Sequence, residues 1–515
     1  MIVVPAAPPP LPALRDLRVT NGSAPFEGDR RLLTTVSPNG DGLRDHAVVS
    51  FRLDVAARVR MDVVSTAETS EQRVVLATVT RAFRPGTHRL VWTPQKTTPP
   101  RTYVLRLTVA ARGRSRTYMN APARVRAPVV RVQGIDAGFT KRSYKPGENA
   151  TLSIACDARA LTLQVFAYSS RYPPTDRDLR TAGRAMTAPL RVDWSAHRND
   201  RALLRVLRAG DWPSGLYFLR LGASDGRVGY APFIVRPRRL GEHRVAVVLS
   251  TNTWQAYNFA DADGDGWGDS WYVDSRIHRV VLTRPYLDFG VPFRFRDWDL
   301  AFIDWLNRTG RSVDYLSDDD LEAAASGDEL ARAYDLLVFP GHEEYVTPHA
   351  YDVVERYRDL GGNLAFLAAN NFFWRVRRTG ESIVRERLWR DAGRPEAALV
   401  GVQYVGSNHG ERQLPFVVED PVPWLFDGTG LGRGDTFGRY GIEIDARAAQ
   451  SPPETHVLAR IPDLLPSGKA AEMTEYETPT GAKVFAAGAI NFAASVDDPR
   501  VARMLTNLWT WFSRP

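Results

Sequence analysis

The stretch Tyr334-Asp-Leu-Leu-Val-Phe-Pro-Gly-His342-Glu343-Glu344-Tyr345 decides the fold of the C-terminal half of the chain. Its apolar run from Leu336 to Phe339 predicts a short buried strand that ends at a Pro-Gly turn. A helical pattern follows from Pro348 to Leu360. This order places His342 and Glu344 at the carboxyl end of a strand, where α/β folds carry their chemistry. The alternative is an ordinary loop with solvated charges.

The same alternation of strands and helices continues over residues 241–515. Continuous apolar runs such as Arg244 to Leu249, Leu364 to Leu367 and Lys483 to Ala487 are typical of strands buried on both faces. Helical periodicity appears between them, for example from Asp299 to Leu306. We therefore expect one doubly wound α/β domain over this part of the chain.

The N-terminal half has a different pattern. Residues 1–29 are rich in proline and predict an extended linker. Residues 30–127 contain short segments in which apolar and polar residues alternate, such as Tyr103 to Val109. Residues 128–238 show the same alternation, for example from Leu216 to Leu221. Short strands with turn residues between them predict two successive Ig-like β-sandwiches.

Composition narrows the class of protein. The chain has 515 residues, is 44% hydrophobic and carries a formal net charge of +8. Only five of its 67 basic residues are lysines, and the arginines are spread along the chain among 59 acids, so we predict no nucleic-acid partner. No apolar run approaches the ~20 residues of a membrane span. The single Cys156 lies in an alternating strand and is expected to be a packed small hydrophobe.

An acidic loop, Asp261-Ala-Asp-Gly-Asp-Gly-Trp-Gly-Asp269, follows the first α/β strand. Its carboxylates stand at positions one, three, five and nine, with glycine at six, as in the calcium loop of an EF-hand. Position twelve is Tyr272 instead of glutamate, and a solvated loop is the alternative. The predicted Ca²⁺ donors are Asp261, Asp263, Asp265, Asp269 and the carbonyl of Trp267. The segment Asn39 to Asp45 keeps part of this spacing and is a weaker candidate.

Five motifs in fixed order carry a resemblance to a known family. They are Asp211-Trp-Pro-Ser-Gly-Leu-Tyr217, Thr253-Trp-Gln-Ala-Tyr-Asn258, Gly341-His-Glu-Glu-Tyr345, Ala369-Asn-Asn-Phe-Phe-Trp374 and Glu477-Thr-Pro-Thr-Gly-Ala-Lys-Val-Phe485. From about residue 205 to the C-terminus the chain resembles the large (β) subunit of N,N-dimethylformamidase. The segment Ser37 to Asp45 also resembles the start of the Ig-like module of flagellar hook-assembly proteins, a module found on many cell-surface proteins.

The first resemblance implies an amidohydrolase with a mononuclear iron held by two tyrosines and one glutamate, here Tyr217, Tyr257 and Glu344. It implies that His342 and Asn370 either support the ligands from behind or orient the substrate, and that Glu477 transfers a proton. It also implies a domain similar to the class I glutamine amidotransferase fold without the nucleophilic cysteine, since no Cys lies in 241–515. The aromatic residues expected to wall the pocket are Trp254, Phe372, Phe373 and Trp374.

The chemistry of such a site is coherent. A free phenol has a pKa near ~10, so it binds at neutral pH only a strongly charged ion such as Fe³⁺. The expected function is hydrolysis of a small, possibly N-alkylated amide by metal-activated water. The alternative is a calcium-stabilised cell-surface protein that binds a ligand without turnover. We expect an extracytoplasmic or cell-surface location, with the cytoplasm as the alternative. A homo-oligomer and a small-subunit partner stay open.

Overall fold

The computed structural model describes residues 11–66, 74–168, 183–272, 276–408, 410 and 412–513. The fold is mixed, with many β-strands and few helices, and forms three units along the chain. The first ten residues of the predicted linker lie outside the described residues. The rest of that segment is not a free linker, because Arg15–Thr20 forms a strand of the first unit.

Two sheets packed face to face form the first unit, called here the first sandwich. One sheet has the order β1-β3-β6 and the other β2-β9-β7-β4-β5, with β8 added to β7. Both sheets contribute to one core. The unit ends at Val132, five residues later than the predicted boundary at 127. The strands are β1 Arg15–Thr20, β2 Leu33–Val36, β3 Ala47–Leu53, β4 Ala57–Ser65, β5 Val74–Phe83, β6 Gly86–Trp92, β7 Thr102–Ala111, β8 Arg114–Tyr118 and β9 Val129–Val132.

The second sandwich has the same plan. Its sheets have the orders β10-β12-β16 and β11-β18-β17-β13-β14, with β15 also paired to β13. Cys156 lies in its core, where burial raises the pKa of the thiol to about 11. The strands are β10 Asp136–Phe139, β11 Ser143–Tyr144, β12 Asn149–Ala155, β13 Ala160–Tyr168, β14 Gly183–Ala185, β15 Leu190–Asp193, β16 Arg201–Arg208, β17 Gly215–Ala223 and β18 Val228–Val235.

The third unit contains all ten helices of the described residues. They are α1 Thr251–Ala256, α2 Leu287–Gly290, α3 Phe295–Trp298, α4 Leu300–Arg308, α5 Asp318–Ala323, α6 Gly327–Ala333, α7 Pro348–Asp359, α8 Ala397–Val400, α9 Pro423–Phe426 and α10 Pro499–Phe512. Its strands are β19 Val245–Leu249, β20 Arg279–Val281, β21 Asp314–Ser317, β22 Leu336–Phe339, β23 Tyr345–Val346, β24 Asn363–Phe366, β25 Trp374–Thr379, β26 Ser382–Leu388, β27 Gln403–Ser407, β28 Gln413–Val418, β29 Thr436–Gly441, β30 Glu443–Ala446, β31 His456–Ile461, β32 Ala471–Glu477 and β33 Lys483–Ala486.

A nine-stranded sheet with the order β21-β19-β22-β24-β33-β32-β31-β28-β29 forms the centre of this unit. Its first five strands are parallel, and the other four are antiparallel. Alternate residues of a strand enter different cores: Leu336 and Val338 pack on the face covered by α4 and α10. Leu337 and Phe339 pack on the face covered by α6 and α7. Helices on both faces agree with the predicted α/β domain, whereas the antiparallel half was not predicted.

The central strand and helix of the sequence analysis are observed within a residue of their predicted bounds. Leu336–Phe339 is fully buried, and α7 begins at Pro348. Proline is favoured at this first position because its missing N–H needs no partner there, and the hydroxyl of Thr347 accepts the N–H of Ala350 at 3.2 Å. These interactions fix where the chain leaves the strand and enters the helix.

Charged side chains join the three units. Arg44 and Asp157, both fully buried, face each other at 3.7 Å between the two sandwiches. Arg142 of the second sandwich pairs with Asp319 of the third unit at 2.5 Å. None of the helices that the structure describes combines the length and the apolar composition of a membrane span.

Candidate active site

Three parallel neighbours of the central sheet, β19, β22 and β24, end at one edge of the sheet. Tyr257 follows α1 after β19, His342 and Glu344 follow β22, and Asn370 follows β24. The four side chains belong to residues that are 2–4% exposed. The structure therefore brings together four of the residues predicted from separate motifs, in a buried position.

The hydroxyl of Tyr257 donates a hydrogen bond to Oε2 of Glu344 at 2.5 Å. Burial and the nearby carboxylate of Glu443 raise the pKa of Glu344 to about 8, although hydrogen bonds from the hydroxyls of Tyr257 and Tyr345 oppose the shift. Burial and the charge of Glu344 also raise the pKa of Tyr257. The phenol of Tyr257 and the carboxylate of Glu344 therefore form a buried hydrogen-bonded pair.

Glu443, which belongs to β30, was not predicted from the sequence as a site residue. Its Oε2 lies 3.5 Å from Nε2 of His342 and accepts a hydrogen bond from Nδ2 of Asn370 at 2.8 Å. Burial raises the pKa of Glu443 to about 7. Asp445 on the same strand accepts the backbone N–H of Asn370 at 2.8 Å. The alternation Glu443-Ile444-Asp445 was the available signal, since it turns two acids to one face of a strand.

His342 lies between the two glutamates, with Nε2 at 3.6 Å from Oε2 of Glu344 and 3.5 Å from Oε2 of Glu443. Burial lowers the pKa of His342 to about 3, so the ring is neutral at pH 7. Neither ring nitrogen, nor Oδ1 of Asn370, has a well-formed hydrogen bond among the described residues. Buried polar atoms are rarely left this way, and unsatisfied ones accumulate at functional sites.

Backbone strain surrounds the same residues. Asn370, Phe372 and Ile442 adopt φ values of 57°, 56° and 68°, in the left-handed region that non-glycine residues rarely use. Asn370 is held there by Asp445 and Glu443. Such strain persists only where the surrounding structure enforces it, and it is concentrated at functional sites.

The aromatic wall differs from the predicted one. Phe372 packs against Phe339 and Phe366 in a core under the sheet, and Trp254 packs against Phe295. The rings beside the site come from other positions. Trp298 lies 5.9 Å from the ring of His342, and Tyr272, Phe293 and Tyr345 lie within 6.3 Å of the ring of Tyr257. The rings of Phe373 and Trp374 contact each other. The backbone N–H groups of both residues donate to the carbonyl oxygen of Glu344.

Tyr217, predicted as the second phenol ligand, lies elsewhere. It belongs to β17 in the core of the second sandwich, and its hydroxyl donates to the carbonyl oxygen of Pro213 at 2.7 Å. Tyr103 of the first sandwich makes the same bond to Pro99 at 2.8 Å. Both are tyrosine corners, in which the hydroxyl binds the backbone a few residues upstream. This corrects the expected ligand set, because the structure does not bring Tyr217 to Tyr257 and Glu344.

Glu477 was predicted to transfer a proton. It lies at the amino end of the parallel strands, whereas the site lies at their carboxyl end. It is the exposed last residue of β32 and pairs with Lys483 at the start of β33. The N–H of Lys483 donates to Asn363 at the start of β24, whereas Asn370 lies beyond the end of that strand. The length of β24, roughly 13 Å for four residues, separates Glu477 from the site. The cause is the antiparallel direction of β32, and the expected role of Glu477 is corrected accordingly.

The acidic loop has the predicted cluster. Ligand oxygens of Asp261, Asp263 and Asp265 lie within 4.8 Å of one another, the only such group of three acids, histidines or cysteines among the described residues. Burial raises the pKa of Asp261 to about 7 and that of Asp265 to about 6. Asp269 accepts the N–H of Ala262 at 2.8 Å and closes the loop. The predicted carbonyl donor Trp267 lies in the same loop, with its ring buried.

The acidic loop is also a joint between the first sandwich and the third unit. Asn120 donates to the carbonyl oxygen of Asp265 at 2.7 Å, and Ala123 donates its N–H to Oδ2 of the same residue at 2.5 Å. Thr66 donates to the carbonyl oxygen of Gly266, and Arg30 to that of Asp263. The loop therefore lies between the sandwich and the helix that leads to Tyr257.

The weaker calcium candidate, the segment Asn39 to Asp45, forms hydrogen bonds within itself and an ion pair with the second sandwich. Asp45 accepts the N–H groups of Gly40 and Gly42 at 2.7 and 2.8 Å, and Asp41 forms an ion pair with Arg198 of the second sandwich. Through the pair with Arg198 the loop connects the two sandwiches, and calcium binding by this loop stays a prediction.

The donor set at the buried site fits a trivalent or divalent metal ion. It contains phenol and carboxylate oxygens of Tyr257 and Glu344, a second buried glutamate, and a neutral histidine with unsatisfied nitrogens. Two glutamates this close repel each other when both are ionised, and a bound cation would remove that cost.

These features define a buried tyrosine–carboxylate site at the carboxyl edge of a mixed sheet. Residues 201–504 match the family model described as N,N-dimethylformamidase beta subunit-like, C-terminal. The match covers more than half of the chain, and the chain belongs to this family. It confirms the resemblance found from the five sequence motifs.

Two curated relatives are the N,N-dimethylformamidase beta subunits of Alcaligenes sp and Paracoccus aminophilus. The first is 27% identical over 278 residues and the second 26% identical over 285 residues. Each alignment covers 42% of this chain and 36% of the relative, so the chain spans about a third of the relatives' length. The resemblance of the first sandwich to a hook-assembly module stays a prediction.

Among solved structures, the mmIFT52 N-terminal domain covers 40% of this chain and 87% of its own length, at 11% identity. The TM-score is 0.27. A score this low does not assign a fold.

Proposed function

We propose that this protein is an iron-dependent amidohydrolase that cleaves the C–N bond of a small amide. The observation that carries the proposal is the meeting of Tyr257 and Glu344 at 2.5 Å beside Glu443 and His342, inside the family-matched region. The relatives are named dimethylformamidase subunits, which supports an amide substrate. The cleaved amide of this chain is part of the proposal, since the alignment covers only part of each relative.

Fe³⁺ is the ion that suits these donors, with Tyr257 and Glu344 holding it. When bound, it would polarise an amide carbonyl and lower the pKa of a water molecule. Hard, anionic oxygen donors favour such an ion over Zn²⁺, which more often recruits His or Cys.

Glu443 is the residue best placed to move a proton. Its buried carboxylate lies 3.5 Å from Nε2 of His342, and a carboxylate in the site can accept and return a proton. In the proposed reaction its carboxylate accepts a proton from the attacking water and returns it to the nitrogen of the leaving amine. Asn370 holds the carboxylate through the 2.8 Å hydrogen bond.

His342 is proposed to orient the amide. Because it is neutral, it has one N–H available to donate to the carbonyl oxygen of the substrate, and it is buried between two glutamates. Desolvation of this kind strengthens hydrogen bonds to developing charge.

A structural Ca²⁺ ion at Asp261, Asp263, Asp265, Asp269 and the carbonyl of Trp267 is a second part of the proposal. The cluster of carboxylate oxygens and their raised pKa values support it. The purely ligand-binding alternative has less support, because it gives no reason for the buried pair of Glu344 and Glu443.

Four further expectations are proposals. The relatives are beta subunits, which supports a partner subunit for this chain. The tyrosine corners support Ig-like sandwiches, and the parallel half of the central sheet supports a likeness to the glutamine amidotransferase fold. An extracytoplasmic location rests on the sandwich modules alone.

Iron content, a visible spectrum and an amide panel test the proposal. We expect about one iron per chain, a ferric-phenolate absorption band, and release of amine from small amides. A colourless, iron-free protein that releases no amine after loading with Fe³⁺ would overturn it.

A further inference from the structure

We propose that a cavity behind the β27–β30 ribbon binds a small organic carboxylate. The ribbon is the two-stranded sheet formed by β27 and β30. The cavity has a volume of about 550 Å³ and is lined by residues of β27, of the segment that follows β30 and of the start of β32. Its volume is typical of small-molecule sites in proteins. This inference goes beyond amide hydrolysis and does not depend on the iron site.

The ribbon separates the cavity from the active site. Side chains of a strand point alternately to its two faces. Glu443 and Asp445 face the active site, whereas Ile444 packs into the core on the other side. Val405 packs against that same core, and Val405 and Ala446 both line the cavity. A ligand in the cavity would therefore contact the ribbon without entering the active site.

The cavity contains an ammonium group without a carboxylate partner. Glu472 is the acid of the lining, and it accepts Nε of Arg447 at 3.2 Å and Nη2 of Arg460 at 2.8 Å. Its charge is thus already compensated. Nζ of Lys469 donates to the carbonyl oxygen of Val405 at 3.2 Å, and it forms no ion pair within the part of the chain that the structure describes. One unpaired cation favours a ligand with a single negative charge.

Thr455 supplies a hydroxyl without a partner. The residue is 5% exposed and lines the cavity, and its Oγ1 has no hydrogen bond to any described residue. Its carbonyl oxygen accepts Nη1 of Arg447 at 3.3 Å, which holds the guanidinium next to it. Buried hydroxyl groups are rarely left without a partner. A carboxylate oxygen would accept this proton, and the second oxygen would accept Lys469.

Adjacent prolines determine the rest of the ligand. Pro452 and Pro453 line the cavity together with Val405 and Ala470, so part of the lining is apolar. The proline rings fix the backbone angle φ, and the N–H of Thr455 donates to the carbonyl oxygen of Pro452 at 2.9 Å. Acetate or inorganic phosphate would leave these apolar side chains uncovered. A carboxylate with a short hydrocarbon chain would bury them and gain free energy from it.

Binding of butyrate to the full-length protein tests the inference. Ligand-observed NMR gives dissociation constants for butyrate, acetate, inorganic phosphate and butan-1-ol. We expect butyrate to bind most tightly, because it alone has both the charge and the hydrocarbon chain. Lys469→Met should weaken butyrate binding by about tenfold, since a charge-assisted hydrogen bond is lost. Lys96→Met, which removes an exposed lysine of the first sandwich, is the matched control and should bind like the wild type.

Two further variants exclude indirect effects. Lys469→Arg keeps the positive charge and should retain most of the affinity for butyrate. Thr455→Val keeps the shape of the side chain but removes the hydroxyl, and it should weaken butyrate binding by a smaller factor than Lys469→Met. Thermal unfolding of each variant shows whether it is folded before binding is measured.

The contradicting results do not depend on whether the protein hydrolyses amides. A wild-type protein that does not bind butyrate overturns the inference. Equal affinity of Lys469→Met and the wild type also overturns it, because butyrate then binds elsewhere, for example at the active site. Phosphate or butan-1-ol that binds as tightly as butyrate contradicts the assigned class of ligand.

Discussion

The hydroxyl of Tyr257 lies 2.5 Å from Oε2 of Glu344, although 87 positions separate the two residues in the sequence. The contact joins the turn after α1 to the loop after β22 at the edge of the parallel strands. Both residues are almost completely buried. Burying a phenol and a carboxylate costs free energy unless the two groups hydrogen-bond to each other or bind an ion.

Glu443→Gln is predicted to keep iron and its colour and to lower kcat by about 10²–10⁴. The amide retains the hydrogen bond with Asn370 but cannot accept a proton. Steady-state kinetics on an amide substrate provide the measurement. Glu477→Gln is the matched control and is predicted to retain full activity, because that side chain is exposed at the other edge of the sheet. Equal activity of Glu443→Gln and wild type would remove Glu443 from the mechanism.

The calcium-free protein is predicted to lose stability as the pH rises from about 4 to about 7. Folding raises the pKa of Asp261 from 3.8 to about 7 and that of Asp265 from 3.8 to about 6. The folded state therefore binds protons more tightly than the unfolded state in this range, and its free energy of unfolding falls as those protons leave. Denaturant unfolding in chelator at several pH values measures the slope.

Added Ca²⁺ is predicted to restore stability near pH 7, because it binds the ionised carboxylates of the folded state. Asp261→Asn should remove most of this response. A midpoint that is insensitive to Ca²⁺ at pH 7 would show that the acidic loop is not a calcium site.

Arg44→Met is predicted to lower the free energy of unfolding by about 3 kcal/mol. The guanidinium is fully buried opposite Asp157 and also donates to Asn199 at 2.9 Å, so its loss leaves polar groups unsatisfied between the sandwiches. Urea unfolding gives the value. The control, Arg15→Met, removes an exposed ion pair with Asp54 and should leave the midpoint unchanged. Similar effects of the two changes would argue against a rigid joint.

Gly341→Ala is predicted to destabilise the protein by about 1–3 kcal/mol and to impair the site. Gly341 directly precedes His342, and a Cβ added to it would lie 2.3 Å from Oδ1 of the buried Asp299. Gly432→Ala is the control, since its Cβ would meet its nearest neighbour at 3.7 Å. Thermal unfolding and amide turnover are measured for both variants, and only Gly341→Ala should show lower values. Wild-type values for Gly341→Ala would contradict the close packing of Gly341 against Asp299.

Local patterns in the sequence were sufficient for much of the fold. The strand Leu336–Phe339 and the helix from Pro348 were predicted because burial and capping leave a signal in adjacent residues. The strand Arg15–Thr20 was missed because it is short and follows a proline-rich segment. The antiparallel half of the central sheet was missed because strand direction depends on contacts between residues far apart in the sequence.

The site was predicted in part for the same reason. Four site residues follow parallel strands whose carboxyl ends lie side by side, so their motifs were sufficient to predict that they meet. They are Tyr257, His342, Glu344 and Asn370. Glu477 was misplaced because its strand runs the other way. Glu443 was missed because an acid in an alternating strand is usually solvated, and only the fold turns it inwards.

Iron analysis and a visible spectrum of the wild-type protein and of Tyr257→Phe decide whether Tyr257 and Glu344 hold an iron ion. We expect bound iron with a ferric-phenolate band in the wild type, and loss of both in Tyr257→Phe with little change in thermal stability. A Tyr257→Phe variant that binds as much iron as the wild type, with an identical band, would contradict it.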